Sequence, residues 1–462
     1  MTEQEILALD PALADYLARF LFCCDYTQTF DHLGTYCRGL LSDLPRKTAE
    51  PIALAAGVAV RTFQLFLTQH GWDQFEVRDL LQRHVASLLP RLVTDDIGSV
   101  GVIDESGHVK KGEKTPGVQR QYCGEVGKTE NCIVTVHLSV ARQRYKSLID
   151  ADLFLPLKWS QDRARCREAD IPDELVHRPK WKIALEQVDR AVANGMKFDW
   201  LTFDEGYGCA FDFLDGLRQR NQRYVGEVPR SWWCFARADA AHPSRADDLV
   251  RFSPLFGEQA WQTISLPRET LGEQVWQYKA ARVWPSHEGE PAKEACWLIW
   301  MKNERTGEEK YFVSNASATL GVGLVVRAAF RRWNVEHAIR LGKQEMGLKH
   351  YEGRSYVGLM RHLILSLVSM NFVAEQAAGL RGEKSGGDGG AGVPRDERGN
   401  AAVAGTAATD EPREPHGGGD PVPSETQPSR PRVEAETTGR SAGRRQASTP
   451  AQAAVTPQAE PV

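Results

Sequence analysis

Apolar positions at helical spacing open the chain. Leu7, Leu9, Leu13, Tyr16, Leu17, Phe20 and Leu21 recur on one face, and Phe75, Leu80, Leu81, Val85, Leu88 and Leu89 repeat the pattern behind a possible cap at Asp73. Residues 1–92 therefore read as a helical domain, able either to pack on its neighbour or to bind DNA ends. From Ile97 the period shifts towards strands. SVGVIDES, NCIVTVHLSVA and the segment from Leu148 to Leu155 are strand candidates, and the Gly- and Lys-rich KKGEKTPGVQRQYCGEVGK between the first two reads as a polar turn or binding loop. A helix over Trp181–Ala193, a strand closing on Asp204, a short helix from about Cys209 to Arg218 and the strand RYVGEVP follow. Three strands in meander and then crossovers imply a mixed sheet with helices on its faces.

The region 231–310 interrupts this order. Its alternating segments, such as QTISLP, WQYKAARVW and ACWLIWMK, predict a β-rich insertion, whose tryptophans can pack a core or stack on unpaired bases. A long helix around 331–351 and a final amphipathic helix from Val357 to Ala378 complete the folded part, so that 93–230 and 311–379 form one core around the insertion. Beyond Leu380 the chain has no Leu, Ile, Phe, Tyr, Trp, Met or Cys, and residues 380–462 are expected to be a disordered tail because they have little to bury.

Composition narrows the function only locally. A net charge of -4 over 462 residues does not suggest a polyanion binder. Between Arg327 and Arg361, however, eight basic residues (Arg327, Arg331, Arg332, Arg340, Lys343, Lys349, Arg354, Arg361) stand against Glu336, Glu345 and Glu352. Nine scattered cysteines without a C-x-x-C point to reduced thiols and to neither a disulfide framework nor a zinc site. With no apolar leader and no uninterrupted apolar run of membrane length in view, a cytoplasmic protein is expected.

The chemistry concentrates on three acids. Asp104 and Asp204 each close an apolar strand and precede a glycine-containing turn, and alternation lets only one residue of Asp104-Glu105 and of Asp204-Glu205 face a common site. The aspartates are read as the inward ones. On the long helix, Arg332, Glu336, Arg340 and Lys343 share a side, while Val335, Ile339, Gly342 and Met346 form the seating stripe. Converging carboxylates call for counter-charge, which divalent cations supply, and the flanking cations suit phosphate. The same residues can also be turn formers, helix caps and a salt-bridged surface.

GVIDESGHVKKG, GVQRQYCGEVGKTENC, WLTFDEGYG, YVGEVP and RRWNVEHAIRLGKQEMGLKHYEGRSYVGLMRH resemble, in that order, the blocks of bacterial insertion-sequence transposases of the DDE superfamily. The resemblance implies an α/β, ribonuclease-H-like mixed sheet flanked by helices. It also implies a Mg²⁺-dependent transposase with Asp104, Asp204 and Glu336 as catalytic metal ligands for two ions, with Mn²⁺ able to substitute. Arg332 and Lys343 match the family's R-x3-E-x6-K pattern; the tyrosine common three residues before the arginine is Ala329 here. Arg340, Arg120 and Lys128 join Arg332 and Lys343 as expected DNA contacts. The implied partners are double-stranded DNA, as element ends and target, and a second copy of the chain on DNA. An endonuclease on the same core without a joining step, or a DNA-binding relic without catalysis, are the alternatives.

Overall fold

The computed structural model describes residues 9–268 and 272–386; of these, the side chains of residues 267–268, 334–339, 341, 343 and 380–386 lie outside the description. The N-terminal helices are α1 (Leu9–Ala18), α2 (Thr27–Leu41), α3 (Ala49–Ala55), α4 (Val60–Thr68) and α5 (Gln74–Leu88). Asp73 caps α5, its Oδ1 accepting from the amides of Phe75 (2.7 Å) and Glu76 (3.3 Å). Next come β1 (Val100–Val109), β2 (Gln119–Cys123), β3 (Lys128–Arg142), β4 (Tyr145–Phe154), α6 (Leu157–Gln161), α7 (Arg163–Glu168), α8 (Lys180–Ala193), β5 (Trp200–Thr202), α9 (Glu205–Gly208), α10 (Phe211–Gln219) and β6 (Val225–Val228). The chain continues through β7 (Trp233–Phe235), β8 (Ser244–Arg245), α11 (Ala246–Phe252), α12 (Pro254–Gly257), β9 (Gln262–Arg268), β10 (Gly272–His287), β11 (Glu290–Pro291), β12 (Cys296–Asn303) and β13 (Glu309–Ser314). It closes with α13 (Val322–Glu345) and α14 (Tyr356–Gly386).

In the first sheet β3 pairs antiparallel with β1 on one edge and with β2 and β4 on the other, and β5 adds to β1 in parallel. A parallel bridge between Leu201 and Tyr224 then joins β5 to β6. This is the mixed sheet of a ribonuclease-H-like fold, an antiparallel meander followed by parallel crossovers. The strand β2 was not expected. Its residues alternate between partly buried and exposed, with Cys123 alone buried, and the surrounding glycines and lysines hide a short edge strand that pairs with β3. The second sheet runs β6-β13-β12-β10-β7-β8, with β9 and β11 also on β10, so β6 belongs to both layers of the molecule.

Helix α8 covers one face of the first sheet, where Gln187 Nε2 donates to the Val136 carbonyl (2.9 Å). Helix α13 lies on the opposite face. A Cβ on its Gly342 would meet Met370 Sδ at 2.5 Å, so glycine is what lets α13 approach α14 there. Helix α14 differs from the amphipathic helix expected. From Leu359 to Phe372 its residues are buried all round, because β4 packs on one side and the N-terminal helices on the other. Its segment Tyr356–Gly379, interrupted by Arg361, His362 and Asn371 and so not the uninterrupted apolar run whose absence was expected, still reaches a mean hydropathy of 1.5; 83% of its most apolar window is buried in the protein, as in a core helix. The helix continues to Gly386, past the expected start of the tail, and residues 387–462 lie outside the described residues.

Candidate active site

Strands β1 and β5 pair in parallel with Val100 beside Trp200, Gly101 beside Leu201 and Val102 beside Thr202. Asp104 and Asp204 each stand two residues beyond the last of these pairs. The equal spacing carries both carboxylates to the same level of the sheet. Asp104 lies in the middle of β1, not at its end as expected. The strand runs on because Ser106–Val109 keep their ladder with β3, Ser106 opposite Thr135 and Val109 opposite Cys132. Glu105 is held by Lys180 at the start of α8, with Nζ at 2.9 Å from Oε1 and 2.7 Å from Oε2. Alternation then turns Asp104 to the other face, the one that α13 covers. Asp104 faces His137 across the ladder, and beneath it Thr135 Oγ1 contacts Nε2 of His137 (2.7 Å) and of His108 (3.3 Å).

Asp204 ends β5 by capping α9. Its Oδ1 accepts from the amides of Gly206 (3.0 Å) and Tyr207 (3.3 Å), which fixes one carboxylate oxygen and with it the direction of the other. Two close approaches hold this turn against β6. A Cβ on Gly208 would sit 2.0 Å from the Glu227 carbonyl oxygen, and one on Gly226 would sit 1.9 Å from the Phe203 ring. Backbone contact seals the arrangement: the Glu227 amide donates to the Phe203 carbonyl at 3.1 Å.

Around these aspartates, charge is crowded. Glu227 is only 6% exposed and receives Lys310 Nζ from β13 at 2.6 Å and Arg332 from α13 at 3.5 Å. Partial burial, then the charge of Glu227, raises Glu205 above the ordinary carboxylate range, while Lys310 and Arg332 pull it back. Burial, then the charges of Glu105, Asp104 and Asp204, raises the phenol of Tyr207, whose hydroxyl has no hydrogen-bond partner among the described residues. On the aspartates' face, Asp104, Asp204, Glu205 and Glu227 outnumber the nearby cations Lys310 and Arg332, and hard carboxylate oxygens in excess are a donor set suited to a divalent cation. Among the described residues no three His, Cys, Asp or Glu side chains stand at metal-binding spacing. Helix α13 passes through Glu336 and Lys343, whose side chains lie outside the described residues.

Neither Glu227 nor Lys310 was foreseen as part of this cluster. The available signal was a lone carboxylate inside an apolar strand, V-G-E-V-P, where a charge has to be paired if it is buried.

The basic excess between Arg327 and Arg361 also changes meaning. Arg327 pairs with Asp96 (2.5 Å), Arg331 with Asp95 and Lys349 with Glu125 (2.5 Å). Arg361 is buried, donating to the carbonyls of Phe66 (3.1 Å) and Trp72 and to Gln74 Oε1 (3.2 Å). Much of that charge therefore fastens α13 and α14 to the rest of the protein. Arg340 is exposed on α13. Arg120 and Lys128 are exposed on the β2–β3 hairpin, Arg120 opposite Asn131 and Lys128 opposite Cys123, with Lys128 Nζ at 3.6 Å from Glu130. Along β3 those positions are on the order of 20 and 30 Å from His137, the residue facing Asp104, at ~3.4 Å per residue. They are separate from the carboxylate cluster.

The DDE superfamily endonuclease family matches residues 19–282 of the chain. The chain is also 31% identical over 189 residues to the probable transposase for insertion sequence element IS701 of Microchaete diplosiphon, a stretch that makes up 40% of this chain and 46% of that protein. The match thus spans less than half of that relative's length.

Proposed function

This chain belongs to the DDE superfamily endonucleases, and from that premise we propose that it is a DNA transposase, cutting the ends of an insertion element and joining them to target DNA. The observation that carries the reading is the placing of Asp104 and Asp204 at one level of adjacent parallel strands, on the face covered by the helix that bears Arg332 and Glu336.

Asp104, Asp204 and Glu336 would hold two divalent cations, Mg²⁺ with Mn²⁺ able to substitute. When bound, these supply Lewis acidity at the scissile phosphodiester. The chain's own groups do the rest. Asp204 is oriented by the amides of α9, and Arg332 and Lys343 bind non-bridging phosphate oxygens so that the backbone is presented in line. In cutting, water adds to phosphorus as the bond to the 3′ oxygen breaks, and the proton lost by water balances the one gained by the 3′ hydroxyl. In joining, that hydroxyl attacks a target phosphodiester and one P–O bond replaces another. Arg340, Arg120 and Lys128 extend contact along the duplex, and a homodimer brings two element ends together.

The test uses a duplex carrying the DNA that flanks the gene, in which terminal inverted repeats mark the element ends. Changing Asp104, Asp204 or Glu336 to Ala abolishes cleavage and leaves end binding intact; wild-type cleavage by any one variant removes that residue from the site. Pre-cut ends with a free 3′ hydroxyl test joining directly, and cleavage without joining identifies an endonuclease instead.

A further inference from the structure

The transposase reading asks Arg332 to meet phosphate, yet Arg332 stands beside a buried carboxylate. Glu227 sits on β6, the strand bridged to β5, and its amide is bonded to the residue immediately before Asp204. Its side chain points to where α13 and β13 meet, with Lys310 Nζ on Oε1 at 2.6 Å and Arg332 on Oε2 at 3.5 Å. Both cations are mostly buried, with side-chain exposures of 16% and 13%, and Lys310 also lies 5.5 Å from the centre of the Trp333 ring. One carboxylate thus takes two cations from two elements, and Lys310 is shared with Glu308 at 3.5 Å, so Arg332 is the cation that this cluster holds beside the aspartates. A long guanidinium loses much rotamer freedom when held this way, so that cost is met before DNA arrives.

We propose that Glu227 is a positioning residue: it holds Arg332, with Lys310 as the counterweight on its second oxygen, so that the guanidinium is already directed at the phosphate that Asp104 and Asp204 address. This deepens the transposase reading and rests on it. Glu227 does not touch DNA. Its removal loosens the hold on Arg332 without removing any phosphate contact from the protein's surface.

The experiment measures single-turnover cleavage of the flanking-DNA duplex by wild type, Asp104→Asn, Glu227→Ala, Glu227→Gln, Arg332→Ala and the Glu227→Ala/Arg332→Ala double variant, with thermal melts alongside. Glu227→Ala is expected to lower the rate at saturating DNA at least tenfold with the half-saturating DNA concentration unchanged. Glu227→Gln, which keeps an acceptor oxygen at the same reach, recovers part of that rate. The double variant is no slower than Arg332→Ala, since Glu227 acts through that arginine. Where Glu227→Ala fails to fold, Glu227→Gln and its double variant with Arg332→Ala carry the same comparison. Effects that multiply, or a rate loss that follows the loss of melting temperature, overturn the assignment and leave Glu227 a purely structural acid. Wild-type protein that does not cut, or Asp104→Asn that cuts as well as wild type, removes the transposase reading and this inference with it; intact Asp104 dependence with multiplying effects removes the inference alone.

Discussion

The hydroxyl of Tyr36 on α2 donates to Nδ1 of His362 on α14 at 2.9 Å, while Nε2 of the same ring donates to the Gly347 carbonyl at 2.8 Å. The carbonyl can only accept, so Nε2 carries a proton, and burial, which disfavours the charged ring, leaves Nδ1 bare to accept; one imidazole thus ties the N-terminal helices to the turn that follows α13. Burial pushes His362 down to about 4. Its folded value lies below the ordinary 6.5, so between pH 6.5 and 4 the unfolded chain binds the proton that the folded chain refuses. The stabilisation is fully present above pH 6.5 and is lost as pH falls towards 4, amounting to roughly 3 kcal/mol. Urea unfolding at pH 7 and pH 4.5 should show a steeper loss for wild type than for His362→Asn. Equal losses would place the acid sensitivity in other groups.

Gly226→Ala tests the contact that seats β6 against the Asp204 turn. The added Cβ would lie 1.9 Å from the Phe203 ring, which is itself fully buried and packed edge-on against Phe213 at 4.9 Å. Overpacking of this kind costs about 1–3 kcal/mol. A melting temperature equal to that of wild type would mean that the strand can shift without strain.

The apolar strands and their spacing made the central sheet legible, because a mixed sheet built from VGVID and WLTFD places the two aspartates on neighbouring strands once the parallel crossover is assumed. What the chain did not disclose was decided by tertiary surroundings. Arg361 reads as surface charge until α14 is found enclosed on both sides, when its guanidinium becomes the donor to Phe66 and Trp72. Glu227 reads as an ordinary outward strand residue until β13 and α13 bring Lys310 and Arg332 to it. Both are charges whose partners lie far away in sequence, and periodicity carries no information about such pairs.

Tyr207 is 3% exposed, and its hydroxyl has no hydrogen-bond partner among the described residues. A buried hydroxyl in that state gives up its bonds to water without replacement. Tyr207→Phe removes the group and keeps the ring contact with Phe213, so the variant is expected to be more stable by about 1 kcal/mol. Thermal melts check the sign. Cleavage should be unchanged; a slower rate in a more stable protein would give the hydroxyl a place beside the aspartates.

Salt dependence separates the cations proposed to meet DNA from those that hold the fold. Arg340 and Lys128 are exposed and proposed to meet DNA, so Arg340→Ala or Lys128→Ala should each lower the slope of log affinity against log salt by about 1. Arg361→Ala should do the reverse. It strips donors from the Phe66 and Trp72 carbonyls and from Gln74, and takes a guanidinium off the Trp72 ring, 4.5 Å below it. Stability should fall by about 2–4 kcal/mol through buried acceptors left unpaired, with the salt slope of whatever remains folded unaltered. A reduced slope with normal stability would put Arg361 on the DNA and reverse its assignment to the core.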